Sequence, residues 1–178
     1  MDAAERVVAR DGAVRLTLDA VAAEAGISKA SVLYDYKTKQ ALIKAVIERR
    51  VASEAQRMRS FIDQEGNKPD AAILGLIAAL QHGKLELDRD VALDLAVALN
   101  QHNDLRGAIR EPFKAFLHEV EATSPEPSRA RVVFLALEGL KLVEAFGFYR
   151  WPDQEREQLL ADMRALLRPD APGAPEPH

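Results

Sequence analysis

The sequence predicts an all-α protein of about nine helices, in which a three-helix unit at the N-terminus precedes a larger helical body. Apolar residues recur at helical spacing throughout the 178 residues, and no segment has the alternating pattern of a strand. Gly26 separates two short helical patterns, which is typical of a helix-turn-helix unit. Residues 129–148 are apolar on almost every side and need cover on more than one side, which favours self-association.

The N-terminal unit contains the local signals of two helices joined by a tight turn. Thr17 is a favourable N-cap for the first helix, and Ser28 is one for the second helix, predicted at residues 29–34. Gly26 stands at the end of the first helix, where a left-handed conformation carries no steric cost for glycine. These signals predict a helix-turn-helix.

The second helix has the features of a DNA-recognition helix. Its first turn, which enters the major groove in this motif, carries small, hydroxyl and basic side chains. Ile27 is expected to fill the space between the two helices, and Val32 and Leu33 are expected to face the small core. A tyrosine can donate to a phosphate, and a lysine that begins the next helix can bind one. The residues predicted to face DNA are Thr17, Ser28, Lys29, Ala30, Ser31, Tyr34, Tyr36 and Lys39.

The charge of the chain is unevenly distributed. The net charge is −4, yet residues 1–50 carry nine Lys and Arg against seven Asp and Glu. The remaining residues carry 15 basic and 21 acidic side chains. The positive charge of residues 1–50, which form the head, is favourable for binding phosphates. The acidic charge of the remaining residues, which form the body, disfavours non-specific binding to DNA.

Composition and motifs exclude several other classes of protein. Without cysteine, the chain forms no disulfide and no thiolate metal site. No run of about 20 apolar residues predicts a membrane span, and the N-terminus has no signal-peptide pattern. The sequence also lacks the common catalytic motifs. We therefore predict no enzymatic activity, catalytic residue, metal site, cofactor or membrane partner.

The first 50 residues strongly resemble the DNA-binding domain of the TetR/AcrR family of transcriptional regulators. The resemblance rests on the helix Leu18–Ala25, the turn Gly26-Ile27-Ser28-Lys29, two aromatic positions and a lysine that precedes an apolar pair. The other matching residues are Tyr34, Tyr36, Lys39, Ala41 and Leu42, with Asp2, Ala3, Ala4, Val7, Val8 and Gly12 of the first helix. The family's phosphate-binding tyrosine usually stands where this chain has Leu33. Tyr34 therefore lies about 100° further around the helix and departs from the family pattern.

The body is predicted to contain further helices at residues 39–64, 70–82, 88–100, 105–110, 111–122, 129–148 and 153–167. Pro112 either kinks one helix or starts a new one, and the sequence leaves both open. The predicted inner face of the long helix at residues 39–64 consists of Leu42, Ala45, Val46, Ala52, Ala55, Met58 and Ile62. The last ten residues, 169–178, contain four prolines and are predicted to be a disordered tail.

The resemblance implies a DNA-binding domain at residues 1–46 and an effector-binding and dimerisation domain at residues 47–168. The implied protein is a ligand-responsive repressor of the bacterial cytoplasm, associated with the nucleoid when bound to its operator. It binds a palindromic operator as a homodimer and is released by a small hydrophobic or aromatic effector. The alternative is a helical ligand-binding or adaptor protein without specific DNA recognition.

Apolar and polar side chains of the body supply candidates for the effector pocket and the dimer interface that the resemblance implies. The candidate pocket residues are Ile77, Leu95, Leu99, His102, Phe113, Phe116, Phe134, Leu137 and Glu138. The candidate interface residues are Val132, Val133, Leu140, Val143, Leu159, Leu160, Met163 and Leu166.

Overall fold

The computed structural model describes residues 1–12, 15–83 and 103–168, and within these ranges it contains eight α-helices and no strand. The all-α prediction is confirmed. The predicted helix at residues 88–100 and the predicted tail at 169–178 lie outside the described residues. The helices are α1 (Asp2–Asp11), α2 (Leu18–Ala25), α3 (Lys29–Asp35), α4 (Lys39–Glu65), α5 (Ala71–His82), α6 (Asn103–Thr123), α7 (Pro127–Ala145) and α8 (Asp153–Ala165).

Pro112 lies inside the single helix α6, so the two helices predicted on either side of it are one. Proline lacks the amide that would donate to the carbonyl four residues earlier, and its ring crowds that carbonyl. Packing outweighs this cost, since Phe116 and Val120 of the same helix are buried in the core of the body. The sequence alone could not decide this point because the stabilising contacts come from other helices.

Helix α7 ends at Ala145, three residues earlier than predicted. Gly147 adopts a left-handed conformation with φ 63°, and its amide donates to the carbonyl of Glu144 at 3.1 Å. The amide of Phe148 donates to the carbonyl of Val143 at 3.0 Å. Helices commonly end with such a pair of hydrogen bonds to the carbonyls of the last turn, and here the chain then turns towards α8.

Two hydrophobic cores are joined by α4. The head core is formed by α1, α2, α3 and the start of α4, which contributes Leu42 and Val46. The body core is formed by the end of α4 and by α5 to α8, and α4 contributes Met58 and Ile62 to it. Ala52, predicted to face inwards, is exposed because it lies on α4 between the two cores.

Helix α5 is the central element of the body, since most of its twelve residues are buried. At Gly75 it crosses α4 so closely that an added Cβ would lie 2.5 Å from the Cα of Ile62. Two arginines bind the carbonyls at its C-terminal end. Arg57 of α4 donates to Ala79 O at 2.9 Å, and Arg156 of α8 donates to Leu80 O at 3.1 Å. The last turn of α5 is thereby attached to both neighbouring helices. None of the helices in the described ranges has the length and apolar character needed to cross a membrane.

Candidate nucleic-acid interface

The turn between α2 and α3 has the predicted caps. The Thr17 hydroxyl accepts from the amide of Ala20 at 3.0 Å and begins α2, while Ser28 accepts from the amide of Ser31 at 3.1 Å and begins α3. Gly26 ends α2 in the left-handed region, at φ 67° and ψ 29°. Each cap satisfies an amide that would otherwise lack a partner in its helix, so the turn is fixed locally.

The buried side of α3 is narrower than the sequence predicted. Val32 is buried in the head core, as predicted. Leu33 and Ile27 are exposed, the latter with 51% of its surface accessible, so neither fills the space expected of it. The head core is instead filled by Val32 and Val21 together with side chains of α1, of α4 and of Leu16.

The outer side of α3 presents the side chains predicted to face DNA. Ala30, Ser31 and Tyr34 are exposed. Tyr34 lies four residues after Ala30 and three after Ser31, so the three side chains share one face of the helix. Tyr34 is 87% exposed. Lys29, also exposed, lies on the first turn beside them. The combination of hydroxyl, phenol and ammonium groups offers donors to both phosphates and base edges.

Two polar groups at the start of α3 already have partners within the head. The ammonium of Lys29 lies 2.9 Å from Oδ2 of Asp19, which belongs to the first turn of α2. The hydroxyls of Ser28 and Ser31 lie 2.8 Å apart. The ion pair was not predicted, because it depends on how two helices cross and leaves no periodic signal in the sequence.

Tyr36 and Lys39 differ from the exposed group in their surroundings. The ring of Tyr36 packs against the head core, and its hydroxyl donates to the sulfur of Met1 at 2.8 Å. Lys39 is the first residue of α4 and is partly buried behind the N-cap Thr38, which accepts from the amide of Ala41 at 3.0 Å. Thr17, Ser28 and Tyr36 thus have structural partners, in addition to any contact with DNA.

The rest of the head contains ion pairs that neutralise several of its basic side chains. Glu24 accepts from Arg6 and from Arg10, each at 2.7 Å, and these arginines hold the pKa of its carboxyl below the usual range. Asp2 lies 2.5 Å from Arg49, whose hydrogen bond and charge lower the pKa of Asp2. These pairs connect α1 to α2 and to α4, and they orient the first helix on the motif.

The predicted pocket residues that the structure describes lie mostly inside the body core. Ile77, Phe116, Phe134 and Leu137 are buried there. Phe113 is partly exposed, with its ring centroid 5.1 Å from that of Phe134. On the next turn, Glu138 is half-buried and pairs with Lys141 at 2.7 Å. Three further candidates lie outside the described residues: Leu95, Leu99 and His102.

A cleft of about 420 Å³ lies at the end of the body where the α4–α5 turn meets the α6–α7 turn. The hydroxyl of Ser124 donates to Asp70 at 2.5 Å, and the amide of Asp70 donates to Thr123 O at 3.0 Å, so the two turns are held together. None of the predicted pocket residues that the structure describes lines this cleft. Its lining consists of Gly66, Asn67, Lys68, Pro69, Ala71, Ala122, Thr123, Ser124 and Pro125.

The predicted interface residues divide into two groups. Val133, Leu140, Leu160 and Met163 are buried in the core of the protomer and offer no exposed surface. Val133 and Leu140 lie on α7 and Leu160 and Met163 on α8, and periodicity alone does not tell whether an apolar side faces the protomer core or a partner. The other group consists of Val132 and Leu166, which are exposed, and Val143 and Leu159, which are partly buried.

A serine-capped helix that follows a left-handed glycine turn, with hydroxyl, lysine and tyrosine side chains exposed at its start, defines the helix-turn-helix class of DNA-binding proteins. The family model described as bacterial regulatory proteins, tetR family, matches residues 1–46. The model described as tetracyclin repressor-like, C-terminal domain, matches residues 75–168. The chain therefore belongs to the tetR family of bacterial regulatory proteins, with a DNA-binding N-terminal domain and a ligand-binding C-terminal domain. Regulators of this family are generally not enzymes.

Solved structures of the multidrug binding protein EbrR have a similar fold. The complex with imidazole has a TM-score of 0.67 at 22% identity and covers 96% of this chain and 94% of that one. The complex with malachite green has a TM-score of 0.67 at 22% identity, with coverages of 93% and 94%. The complex with proflavin has a TM-score of 0.63 at 23% identity, with coverages of 91% and 95%. No curated protein matches the chain.

Proposed function

We propose that this protein is a repressor that binds a palindromic operator as a homodimer and leaves it when a small hydrophobic or aromatic effector binds the body. It would act in the bacterial cytoplasm, associated with the nucleoid when bound to DNA. The observation that carries the proposal is the exposed face of α3, where Ala30, Ser31 and Tyr34 lie together beside Lys29. A helix held by its N-cap and by Val32 can enter a major groove without rearranging the head core.

An apolar stripe on α7 supports the homodimer. Val132, Leu135 and Leu142 are each more than half exposed, and their spacing places them on one side of the helix. Leu166, after the end of α8, is exposed to a similar extent. Exposed leucines and valines in a row favour association, and a two-fold axis would bring the same stripe of each copy together. Leu135 and Leu142 are interface candidates that the sequence reasoning missed.

A homodimer also provides the two recognition helices that sequence-specific binding by the head requires. One short recognition helix contacts few base pairs, whereas two helices related by a two-fold axis read half-sites about 34 Å apart, or a multiple of that distance. The operator is therefore expected to be a palindrome with that spacing. A block of the promoter by the bound dimer is then sufficient for repression.

The proposed effector is small and apolar or aromatic. The body contributes Phe113 and Phe134, whose rings are in contact, and the half-buried Glu138 beside them. EbrR, which has a similar fold, is described in complexes with imidazole, proflavin and malachite green, all of which contain aromatic rings. Release requires that effector and DNA prefer different conformations, with a coupling of about 1–3 kcal/mol.

Selection of random duplex DNA on the purified protein, sequenced after binding at two salt concentrations, tests the proposal. The expected result is a palindromic motif whose retention falls as salt rises, because phosphate contacts release counterions. Retention that is weak, without a motif and insensitive to salt, would instead indicate a helical ligand-binding or adaptor protein. The selected palindrome then serves as a probe for effectors that weaken binding.

A further inference from the structure

The start of α3 places a carboxylate directly against the recognition helix. Asp19, in the first turn of α2, lies 2.9 Å from the ammonium of Lys29, and both side chains are more than half exposed. Asp19 therefore shares the solvent-facing surface on which Lys29 would meet DNA. Ser31, two residues further along α3, already shares its hydroxyl with Ser28. Lys29 and Ser31 of the recognition helix are thus already paired with other side chains of the head before DNA binds.

A carboxylate beside Lys29 changes which DNA groups that lysine can bind favourably. A phosphate that approaches Lys29 must displace Asp19 and is then repelled by it at close range, since both groups are anionic. A base edge presents neutral acceptors, such as O6 and N7 of guanine, which an ammonium can bind while it stays near a carboxylate. The ion pair therefore disfavours phosphates more than base edges.

We propose that Asp19 is a specificity-determining residue that acts through Lys29: its carboxylate limits the binding of backbone phosphates by this lysine and reserves the ammonium for a neutral acceptor on a base. This inference rests on the proposed DNA-binding function. It predicts that Asp19 lowers the affinity for DNA in general and raises the preference for the operator.

The Asp19→Asn variant tests this role against a matched control. Glu48→Gln makes the same change in charge on the same head, in an exposed pair with Lys44. Glu48 lies nine residues, or about 13 Å, beyond the start of α4. The probes are a duplex with the selected palindrome and a scrambled duplex of equal length and composition. Affinities for both are measured from 50 to 200 mM salt.

Asp19→Asn should tighten binding to the scrambled duplex and lower the ratio of palindrome to scrambled affinity, whereas Glu48→Gln should change the ratio little. The salt slope on the scrambled duplex should steepen by about 0.9, the value of one phosphate contact, so the gain should shrink about threefold between 50 and 200 mM salt. In a Lys29→Gln background the gain should be smaller, because the effect acts through that lysine.

Three results would overturn the inference. The first is an Asp19→Asn protein that matches Glu48→Gln in ratio and slope. The second is weaker operator binding by Asp19→Asn, which would mean that the ion pair supports recognition. The third is an equal effect of Asp19→Asn with and without Lys29. A wild-type protein that shows no salt-sensitive binding to either duplex would overturn the proposed function itself, and this outcome is seen before any variant is compared. Thermal unfolding of each variant checks that the head is folded.

Discussion

At the scale of single residues, Tyr34 is the side chain on which DNA binding is expected to depend most directly. It is 87% exposed, lies on the outer face of α3 and presents a hydroxyl at the end of an apolar ring. An exposed phenol contributes little to the stability of the head, so its replacement should affect binding and leave folding unchanged. It also lies one residue from the position where related regulators usually carry a phosphate-binding tyrosine.

Replacement of Tyr34 by Ala should weaken binding to the selected palindrome about tenfold, since a hydrogen bond to a charged group contributes about 1.5 kcal/mol. Tyr34→Phe keeps the ring and removes the hydroxyl, so it distinguishes the contribution of the hydroxyl to binding from that of the ring. The matched control is Tyr149→Ala, which removes an exposed tyrosine from the body. Equal affinities for the Tyr34→Ala and Tyr149→Ala proteins would show that Tyr34 does not contact DNA. Fluorescence anisotropy at one salt concentration is sufficient.

Local signals made much of the reading head predictable from sequence. Thr17, Gly26 and Ser28 each act within three or four residues of their own position, and the structure has all three in the expected roles. The pairing of Lys29 with Asp19 was not predictable, because it depends on the crossing of two helices. The same holds for Tyr36, whose hydroxyl meets the sulfur of Met1, 35 residues away.

At the scale of helices, the crossing of α4 and α5 depends on the absence of a side chain at Gly75. An added Cβ would lie 2.5 Å from the Cα and 2.7 Å from the amide nitrogen of Ile62, which are backbone atoms and cannot rotate away. The two helices would have to move apart. Since α5 is the centre of the body core, such a shift would disturb α7 and α8 as well.

Gly75→Ala is therefore expected to lower the free energy of unfolding by about 1–3 kcal/mol through overpacking, despite the better helix propensity of alanine. Gly107→Ala in α6 is the control, because an added Cβ there meets no atom of the described residues within 4 Å. That variant should be neutral or more stable by up to about 1 kcal/mol. Chemical denaturation followed by circular dichroism measures both. A Gly75→Ala protein as stable as wild type would show that the crossing can widen at little cost.

Helical periodicity predicted the helices of the body better than it predicted their orientation. The starts of α4 and α8 and the end of α5 agree with the sequence prediction. Which side of α7 is buried could not be predicted, because Val132 and Val133 are both apolar and only one of them faces the core. The continuity of α6 at Pro112 could not be predicted either, because it depends on distant contacts: the packing of Phe116 and Val120 keeps the helix continuous.

At the scale of the whole molecule, the exposed apolar stripe of α7 is the surface through which we expect two copies to meet. Leu135 lies between Val132 and Leu142 on this stripe, and the structure of one protomer leaves all three exposed. A charge in the middle of an apolar interface would be buried without a partner in the dimer, yet it remains hydrated in the monomer. Association can therefore be disrupted without unfolding the protomer.

Leu135→Glu is expected to convert the proposed homodimer to a monomer in sedimentation experiments and to leave the helix content unchanged. Binding to the full palindrome should weaken more than binding to one half-site, since the two heads are no longer linked. Ala161→Glu adds the same charge to an exposed position of α8 that lies about 200° around the helix from Leu159. It should remain dimeric. A dimeric Leu135→Glu protein would place the interface elsewhere.

The length of α4 would make the position of the head sensitive to small changes in the body. With 27 residues it is about 40 Å long, and one of its ends is packed in each hydrophobic core. A tilt of about 5° at the body end moves the head end by about 3.5 Å, which is close to the rise of one base pair. Two copies that tilt in opposite directions would change the separation of the recognition helices by about two base pairs. In the proposed homodimer, a slight repacking around α5 that tilts a helix of this length would therefore produce a mismatch between protein and operator.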